Sequence, residues 1–213
     1  MPQPLTLFSD AFSISPYAMS CFVALEEKGL AYQLVKVGLH AGEHKLPSYK
    51  ARTGRVPALQ HGDFVLAESS AIAEYLEDAF PGPSHPRLFP EAVRERAIAR
   101  EVMAWIRSDL MPLREERPTT SVFIQSVSRP LSEHARHCVR RLVAACEALI
   151  KPGQPTLFAH WCLADTDLAL MLQRLASNGD ELPRSLADYA AAQWKRPSVT
   201  RWLAQPRSDY TPY

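Results

Sequence analysis

The sequence predicts an α/β domain followed by an all-helical domain. Two observations carry that prediction: up to residue 79 the apolar residues switch between strand-like and helix-like spacing, and after residue 92 only the helical spacing persists. A third observation separates the halves. Prolines number 18 in 213 residues, well above the roughly 5% of an average chain, and are densest in Phe80-Pro81-Gly82-Pro83-Ser84-His85-Pro86, followed by Pro90. Proline lacks the backbone donor and blocks a helix interior, so neither a helix nor a central strand passes through this stretch. Residues 1–79 therefore read as the α/β domain, 80–91 as a proline-rich linker and 92–213 as the helical domain.

Within the first domain, Leu5-Thr6-Leu7-Phe8 is a short buried strand. From Pro16 to Lys28 the apolar residues Met19, Phe22, Val23 and Leu25 keep helical spacing, and Gly29 stands where a helix stop is expected. Tyr32 to Val37 alternates as a strand. Ala58-Leu59-Gln60 and Phe64-Val65-Leu66 flank His61-Gly62-Asp63, a tight hairpin turn. Ser69 to Ala79 reads as a helix with Ala71, Ile72, Tyr75 and Leu76 inward. In the second domain Ala92 to Leu110 has a stripe of Val93, Ala97, Val102 and Ile106. Ser132 is placed to cap a helix that turns Ala135, Cys138, Val139, Leu142, Val143, Cys146 and Leu149 inward. Asp165 to Leu175 is almost wholly apolar, as the central helix of a bundle would be.

Composition narrows the function classes. Hydrophobic residues at 46% and charged residues at 22% describe a folded globular chain. Twenty-four Lys and Arg against 23 Asp and Glu leave a net charge of +1, without the basic excess of a phosphate-backbone binder. No apolar run approaches the roughly 20 residues of a membrane span, and Met1-Pro2-Gln3-Pro4 lacks the features of a signal peptide. These features predict a cytoplasmic protein. Cys21, Cys138, Cys146 and Cys162 form no CxxC pair, so neither a zinc knuckle nor a disulfide framework is expected; all four read as buried apolar groups.

Three short segments could carry chemistry. The first strand runs into a loop, Ser9 to Ser15, and the next helix opens Ser15-Pro16-Tyr17-Ala18. In glutaredoxins and thioredoxins this corner carries a Cys-Pro-x-Cys-type sequence. Serine here occupies the attacking position and alanine the resolving one, which removes dithiol chemistry. A hydroxyl can instead donate to the thiolate of another molecule. A thiol of pKa near 8.5 is about 3% ionised at pH 7, and lowering that pKa by about two units takes about 2.7 kcal/mol. A hydrogen bond to a charged group supplies about 1.5–3 kcal/mol, and a helix N-terminus about 0.3–1 kcal/mol more. The competing reading is a plain helix cap, with Ser15 as the cap and Pro16 at the first position. At Arg55-Val56-Pro57-Ala58-Leu59, proline starts a strand; a cis bond there would turn the backbone groups of Val56 toward the Ser15 corner, where an extended peptide could pair with them. Glu68-Ser69-Ser70 opens a helix. Ser69 reads either as its cap or, with Glu68, as a site for a carboxylate and an ammonium, the two groups of a free amino-acid end.

The order Ser-Pro-Tyr, Val-Pro-Ala-Leu, Glu-Ser-Ser-Ala-Ile-Ala-Glu-Tyr-Leu, proline-rich linker and helical bundle resembles the glutathione transferases over essentially the whole chain. The segments Ser108-Asp109-Leu110-Met111-Pro112, Arg114-Glu115-Glu116-Arg117-Pro118 and Ala164-Asp165-Thr166-Asp167-Leu168-Ala169-Leu170-Met171 look closest to the bacterial YfcF-like branch. The resemblance implies a thioredoxin-like first domain with a mixed four-stranded sheet, and glutathione as co-substrate without a metal. It implies that Ser15 activates the glutathione sulfur, with Ser13 as a competitor for that role. Val56, before Pro57, would hold the cysteinyl backbone, and Glu68 with Ser69 the γ-glutamyl end. A basic side chain after the second strand would meet the glycine carboxylate: His44 first, then Lys45 or His40. The second substrate, an electrophile or a peroxide, is expected between the domains near Tyr17, Trp105, Arg107, Asp109, Met111 and Arg114, residues that also read as packing or as a solvated helix face. A helix-capping box of the family reads here Cys162-Leu163-Ala164-Asp165, with a thiol where the hydroxyl belongs, which weakens its reciprocal cap. The implied protein is a homodimeric glutathione S-transferase with accessory peroxidase activity. The alternative is a non-catalytic binding or regulatory protein on the same fold.

Overall fold

The strand spacing is realised as a sheet of four strands: β1 (Leu5–Asp10), β2 (Tyr32–Val37), β3 (Ala58–His61) and β4 (Phe64–Ala67), in the order β2-β1-β3-β4. This computed structural model describes residues 3–49, 51–207 and 210; the opening Met1-Pro2 and the last residues of the 92–213 segment lie outside them. β1 and β2 are parallel and joined by α1 (Pro16–Glu27), while β3 is antiparallel to both β1 and β4. A parallel pair needs a crossover longer than a hairpin, and α1 supplies it. The hairpin forms at the expected place, with Gly62 at φ 63 allowing the turn.

α1 stops where the sequence indicates. Lys28 is its C-cap and Gly29 takes φ 64, so the chain reverses at the one residue that adopts this conformation without strain. Met19, Phe22, Val23 and Leu25 are all buried. α2 (Ser69–Ala79) has the expected bounds, but its buried face is Ile72, Ala73 and Leu76, with Ala71 exposed. The segment read as linker is structured through Leu88. The buried Lys28 ammonium donates to Phe80 O at 2.8 Å and Pro86 O at 3.0 Å and pairs with Glu77 at 2.9 Å. The Leu88 amide donates to the same Glu77 carboxylate at 2.9 Å. Contacts divide the chain into two compact units, one from the described residues of 1–88 and 201–213, the other from Phe89–Thr200. The C-terminal residues therefore group with the sheet, whereas the sequence alone assigns them to the helical domain.

The second unit contains α3 (Val93–Ser108), α4 (Met111–Glu116), α5 (Thr120–Phe123), α6 (Glu133–Leu149), α7 (Leu163–Ala176) and α8 (Arg184–Trp194); α9 (Pro197–Leu203) spans its end. In α3 the buried stripe is Ala99, Val102, Met103 and Ile106. The expected Val93 and Ala97 are exposed; Ala97 sits two residues from Ala99, about 200° around the helix and so on the opposite face. Ser132 caps α6, its Oγ accepting from Ala135 N at 3.2 Å. α7 is buried from Leu163 to Leu175 on every face, as expected of a central helix. The thiol does not cost it the reciprocal cap: Asp165 Oδ2 accepts from Cys162 N at 2.8 Å, and the Cys162 sulfur faces the Asp165 amide. Asp165 also accepts from Leu157 N at 2.7 Å and Tyr189 OH at 2.8 Å. The short helices α4 and α5 escape sequence reading because Pro112 and Pro118 interrupt the periodicity there.

Two arginines of this unit form ion pairs with aspartates. Arg107 meets Asp167 at 2.7 Å between α3 and α7. Arg117, 2% exposed, forks onto Asp180 at 2.6 and 2.8 Å and also donates to Glu116 O and Arg129 O. Removing one partner of a buried pair strands the other charge. Asp180→Ala should therefore destabilise the protein by about 3 kcal/mol, read as a lower urea midpoint with unchanged slope.

Candidate functional site

The strand register brings the predicted positions together without reference to any ligand. Phe8 of β1 pairs with Ala58 of β3, and Ala58 with Ala67 of β4. Val56-Pro57, just before β3, and Glu68-Ser69, just after β4, therefore lie at the end of the sheet where β1 finishes. Asp10 is in register with Val37, the last residue of β2, so the segment after β2 that carries His40, His44 and Lys45 leaves from the same end. The loop from Asp10 to Ser15 starts there too. One edge of the sheet thus gathers every candidate of the first domain. Cys21 on α1 adds a tie, its Sγ lying 3.8 Å from Ser69 O.

The corner at Ser15 is organised by a carboxylate. Asp10 is fully buried, and its side chain accepts from Ile14 N at 2.8 Å, Ser15 N at 3.1 Å and Ser9 Oγ at 3.3 Å. Ser15 is the N-cap of α1: its Oγ accepts from Ala18 N at 3.2 Å, with Pro16 following. The capping and activating readings are therefore compatible. A hydroxyl has two lone pairs and one proton; the cap uses a lone pair and leaves the proton for a thiolate at the positive end of the helix. Ser13 is fully buried, takes φ 52, and accepts through Oγ from Lys36 Nζ. It faces the unit's interior rather than a sulfur outside it.

The Val56-Pro57 peptide is cis. Glu68, not Ser69, is the N-cap of α2, and Ser69 is its first residue, 6% exposed. Glu68 has φ 72 and ψ 115, a conformation rarely adopted by L-residues and costing of order 1–3 kcal/mol. Such strain persists where surrounding structure enforces it, and it leaves Glu68 exposed beside the first amides of α2. His44 and Lys45 belong to a single 3-10 turn, Glu43–Lys45; Lys45 is exposed, and His44 Nδ1 is buried with no hydrogen-bond partner among the described residues. His40 stacks against Phe12, ring centres 5.4 Å apart.

The second-substrate candidates have internal partners. Asp109 accepts from Trp105 Nε1 at 3.0 Å, Leu110 N at 2.6 Å and Arg141 Nη2 at 2.5 Å. These bonds, that from Arg141 foremost, hold its carboxyl at about 2. Arg107 is held by Asp167, and Arg114 donates to Arg107 O at 2.9 Å. Met111 is 45% exposed, and Tyr17 is half-buried in the first turn of α1. His134 and His137 are exposed on α6. All four cysteines are buried thiols outside any disulfide among the described residues, and burial pushes the Cys146 thiol up to about 12. Among the described residues no group of three or more His, Cys, Asp or Glu could hold a metal, and no helix is long and apolar enough to cross a membrane.

Sequence reasoning missed Asp10, Lys36 and Arg207. Lys36 had a signal, since it interrupts the apolar Val35 and Val37 in a strand beside β1. Asp10 had a weaker one, an Asx-type residue at a strand end. Arg207, 194 positions from its partner Ser13, had none.

This architecture has known counterparts. Residues 11–84 match the glutathione S-transferase N-terminal domain and residues 92–207 the C-terminal domain. The chain belongs to the glutathione S-transferase family. It is 43% identical to maleylacetoacetate isomerase from Pseudomonas aeruginosa, over 80% of this chain and 84% of that one. It is 33% identical to glutathione S-transferase 1 from Dianthus caryophyllus, over 70% of this chain and 66% of that one, so the match spans slightly less than two thirds of the plant protein. Among solved structures, a glutathione transferase homologue from Burkholderia with bound glutathione superposes with a TM-score of 0.80 at 42% identity, covering 94% of this chain and 97% of that one. A theta-class enzyme from Xanthomonas axonopodis with glutathione bound gives 0.71 at 26% identity, covering 98% and 100%. The sheet-containing unit is thus thioredoxin-like and the second unit is the family's helical domain.

The depressed Asp109 carboxyl has a pH consequence. A carboxylate whose folded pKa lies below its ordinary value adds stability above that value and loses it as the pH falls through the folded one. The thermal midpoint of the wild type should exceed that of Asp109→Asn near neutrality, and the gap should close between pH 3.8 and about 2.

Proposed function

We propose that this protein is a serine-type glutathione transferase of the YfcF-like branch, working in the cytoplasm as a homodimer. The observation that carries the reading is the strand register, which gathers the Ser15 corner, Val56, Glu68-Ser69 and the His44 turn at one end of the sheet. Four chemically different groups at that edge match the four parts of a γ-glutamyl tripeptide. Ser15 donates its hydroxyl proton to the thiolate, while the N-terminal amides of α1 add their positive end. The backbone of Val56, preceding Pro57, pairs with the cysteinyl residue as an added strand would. Glu68 takes the γ-glutamyl ammonium, and Ser69 with the first amides of α2 takes its carboxylate. His44 meets the glycine carboxylate, with Lys45 and then His40 as the other cations on that segment. The glutathione-bound homologues from Burkholderia and Xanthomonas support the ligand. The buried, lysine-bound hydroxyl of Ser13 supports Ser15 over Ser13.

The reaction follows from the ionised sulfur. The thiol proton leaves to solvent, the sulfur lone pair attacks an electrophilic carbon, and the new C–S bond is balanced by departure of a leaving group or by protonation of the adjacent carbon. With a peroxide the same sulfur attacks one oxygen and cleaves the O–O bond, giving a sulfenic acid of glutathione and releasing the other oxygen as alcohol (water from hydrogen peroxide). A second glutathione thiol then displaces water from the sulfenic acid, leaving glutathione disulfide. A second reading, glutathione-dependent isomerisation by reversible addition to a double bond, is favoured by the 43% identity to the Pseudomonas isomerase. A non-catalytic binding or regulatory role on this fold is the contrary outcome, and absence of glutathione binding by calorimetry at millimolar ligand would overturn the transferase reading and leave that one standing.

Ser15→Ala should still bind glutathione while the thiol pKa, read by ultraviolet thiolate absorbance, returns to about 8.5. Loss of a charge-assisted hydrogen bond should lower kcat/KM by about 10- to 150-fold. Glu68→Gln should act on binding, raising the KM for glutathione about tenfold with kcat little changed.

A further inference from the structure

We propose that Arg207 and Lys36 are positioning residues for the thiol-activating corner, holding the loop from Asp10 to Ser15 through the backbone and hydroxyl of Ser13. The inference rests on the reading of Ser15 as hydrogen-bond donor to the glutathione sulfur.

The place of the Ser15 hydroxyl is set by the five residues that precede it. Asp10 fixes their inner side through the amides of Ile14 and Ser15. Ser13, fully buried, is a second anchor of the loop, and it takes φ 52, a left-handed conformation that a residue with a Cβ rarely adopts. Two cations hold it there. The Arg207 guanidinium donates to Ser13 O from Nη2 at 3.0 Å and from Nε at 3.3 Å. It also donates to Trp202 O at 2.9 Å, Leu203 O at 2.8 Å and Gln205 O at 2.8 Å, so the fork is locked to the end of α9 and the turn after it. Lys36 Nζ donates to Ser13 Oγ and lies 5.7 Å from the centre of the fully buried Trp202 ring.

The charges matter as well as the bonds. Asp10 attracts both cations, while burial disfavours the charged form of Lys36 and of Arg207 and each cation repels the other. Asp10, Lys36 and Arg207 are charged groups of this cluster among the described residues, and the two cations on Ser13 place positive charge beside the loop that carries Ser15. A thiolate beside Ser15 is stabilised by that charge, and a neutral thiol is not. Arg207 and Lys36 thus act on the sulfur indirectly, through the loop and through the field, without touching it.

The test compares Arg207→Met, Arg207→Lys, Lys36→Met and Ser15→Ala on the full chain. Bound glutathione is titrated by thiolate absorbance, and kcat and KM are measured with an electrophilic aryl halide. Arg207→Met should raise the bound thiol pKa by about one unit, a tenfold loss of thiolate at lower pH. The KM for glutathione should stay within about threefold, and Arg207→Lys should recover part of the shift by keeping the charge. Lys36→Met should shift the pKa in the same direction, and it carries the test if Arg207→Met does not fold. Variants that keep the wild-type thiol pKa, or change only KM, overturn the proposal while Ser15→Ala still shifts it. If Ser15→Ala leaves the pKa unchanged as well, the failure lies in the reading of Ser15 itself.

Discussion

The buried carboxylate of Asp10 is the interaction on which the arrangement of the candidate site depends. It sits at the last position of β1, beside the last residue of β2, where a strand must give way to a helix running back across the sheet. A free carboxylate would be expensive there. Asp10 offsets that cost with the amides of Ile14 and Ser15, and in doing so it dictates the path of the loop and the point at which α1 begins. The position of Ser15, its role as N-cap and the direction of the helix dipole all follow from that local solution.

The rest of the site is assembled by the sheet. β3 and β4 form a short hairpin, and pairing β3 antiparallel to β1 delivers residues 56–57 and 68–69 to the β1 terminus as a consequence of register. A one-residue slip would turn every side chain of β3 to the opposite face and displace residues 56–57 and 68–69 along the sheet, so the site depends on this register. Backbone strain is concentrated at this same edge: Ser13 and Glu68 are two of the three described non-glycine residues with positive φ. The Ser13 conformation is held by Arg207 and Lys36, distant neighbours rather than local preference. The third, Leu110, lies at the α3–α4 corner, where Asp109 holds its amide and gathers Trp105 and Arg141.

The helical unit solves a different problem, the burial of charge. Arg107 with Asp167 and Arg117 with Asp180 are ion pairs inside a helix assembly whose central member, α7, is enclosed on every side. Pairing removes the penalty of leaving a single charge without water. The Asp165 carboxylate works in the same way at the start of α7, joining the helix cap, the 157 region and Tyr189.

Periodicity and punctuation alone determined the order of strands and helices in the first domain, the start and stop of α1 and α2, the caps Ser15 and Ser132, and the two-part organisation of the chain. These are local properties: each depends on residues a few positions apart, within reach of backbone preference and capping. The motif residues Ser15, Val56, Glu68 and Ser69 were legible for the same reason, since each stands at the end of a recognisable element. What the sequence could not express was decided by packing between distant segments. The cap of α2 moved from Ser69 to Glu68, and Ala73 rather than Ala71 turned inward. The expected linker became ordered through Lys28 as far as Leu88, and the described residues after 200 joined the sheet-containing unit. The clasp of Lys36 and Arg207 on Ser13 belongs to this second kind. Hydrogen-bond geometry between residues 194 positions apart leaves no trace in local spacing, because only the folded chain brings donor and acceptor together.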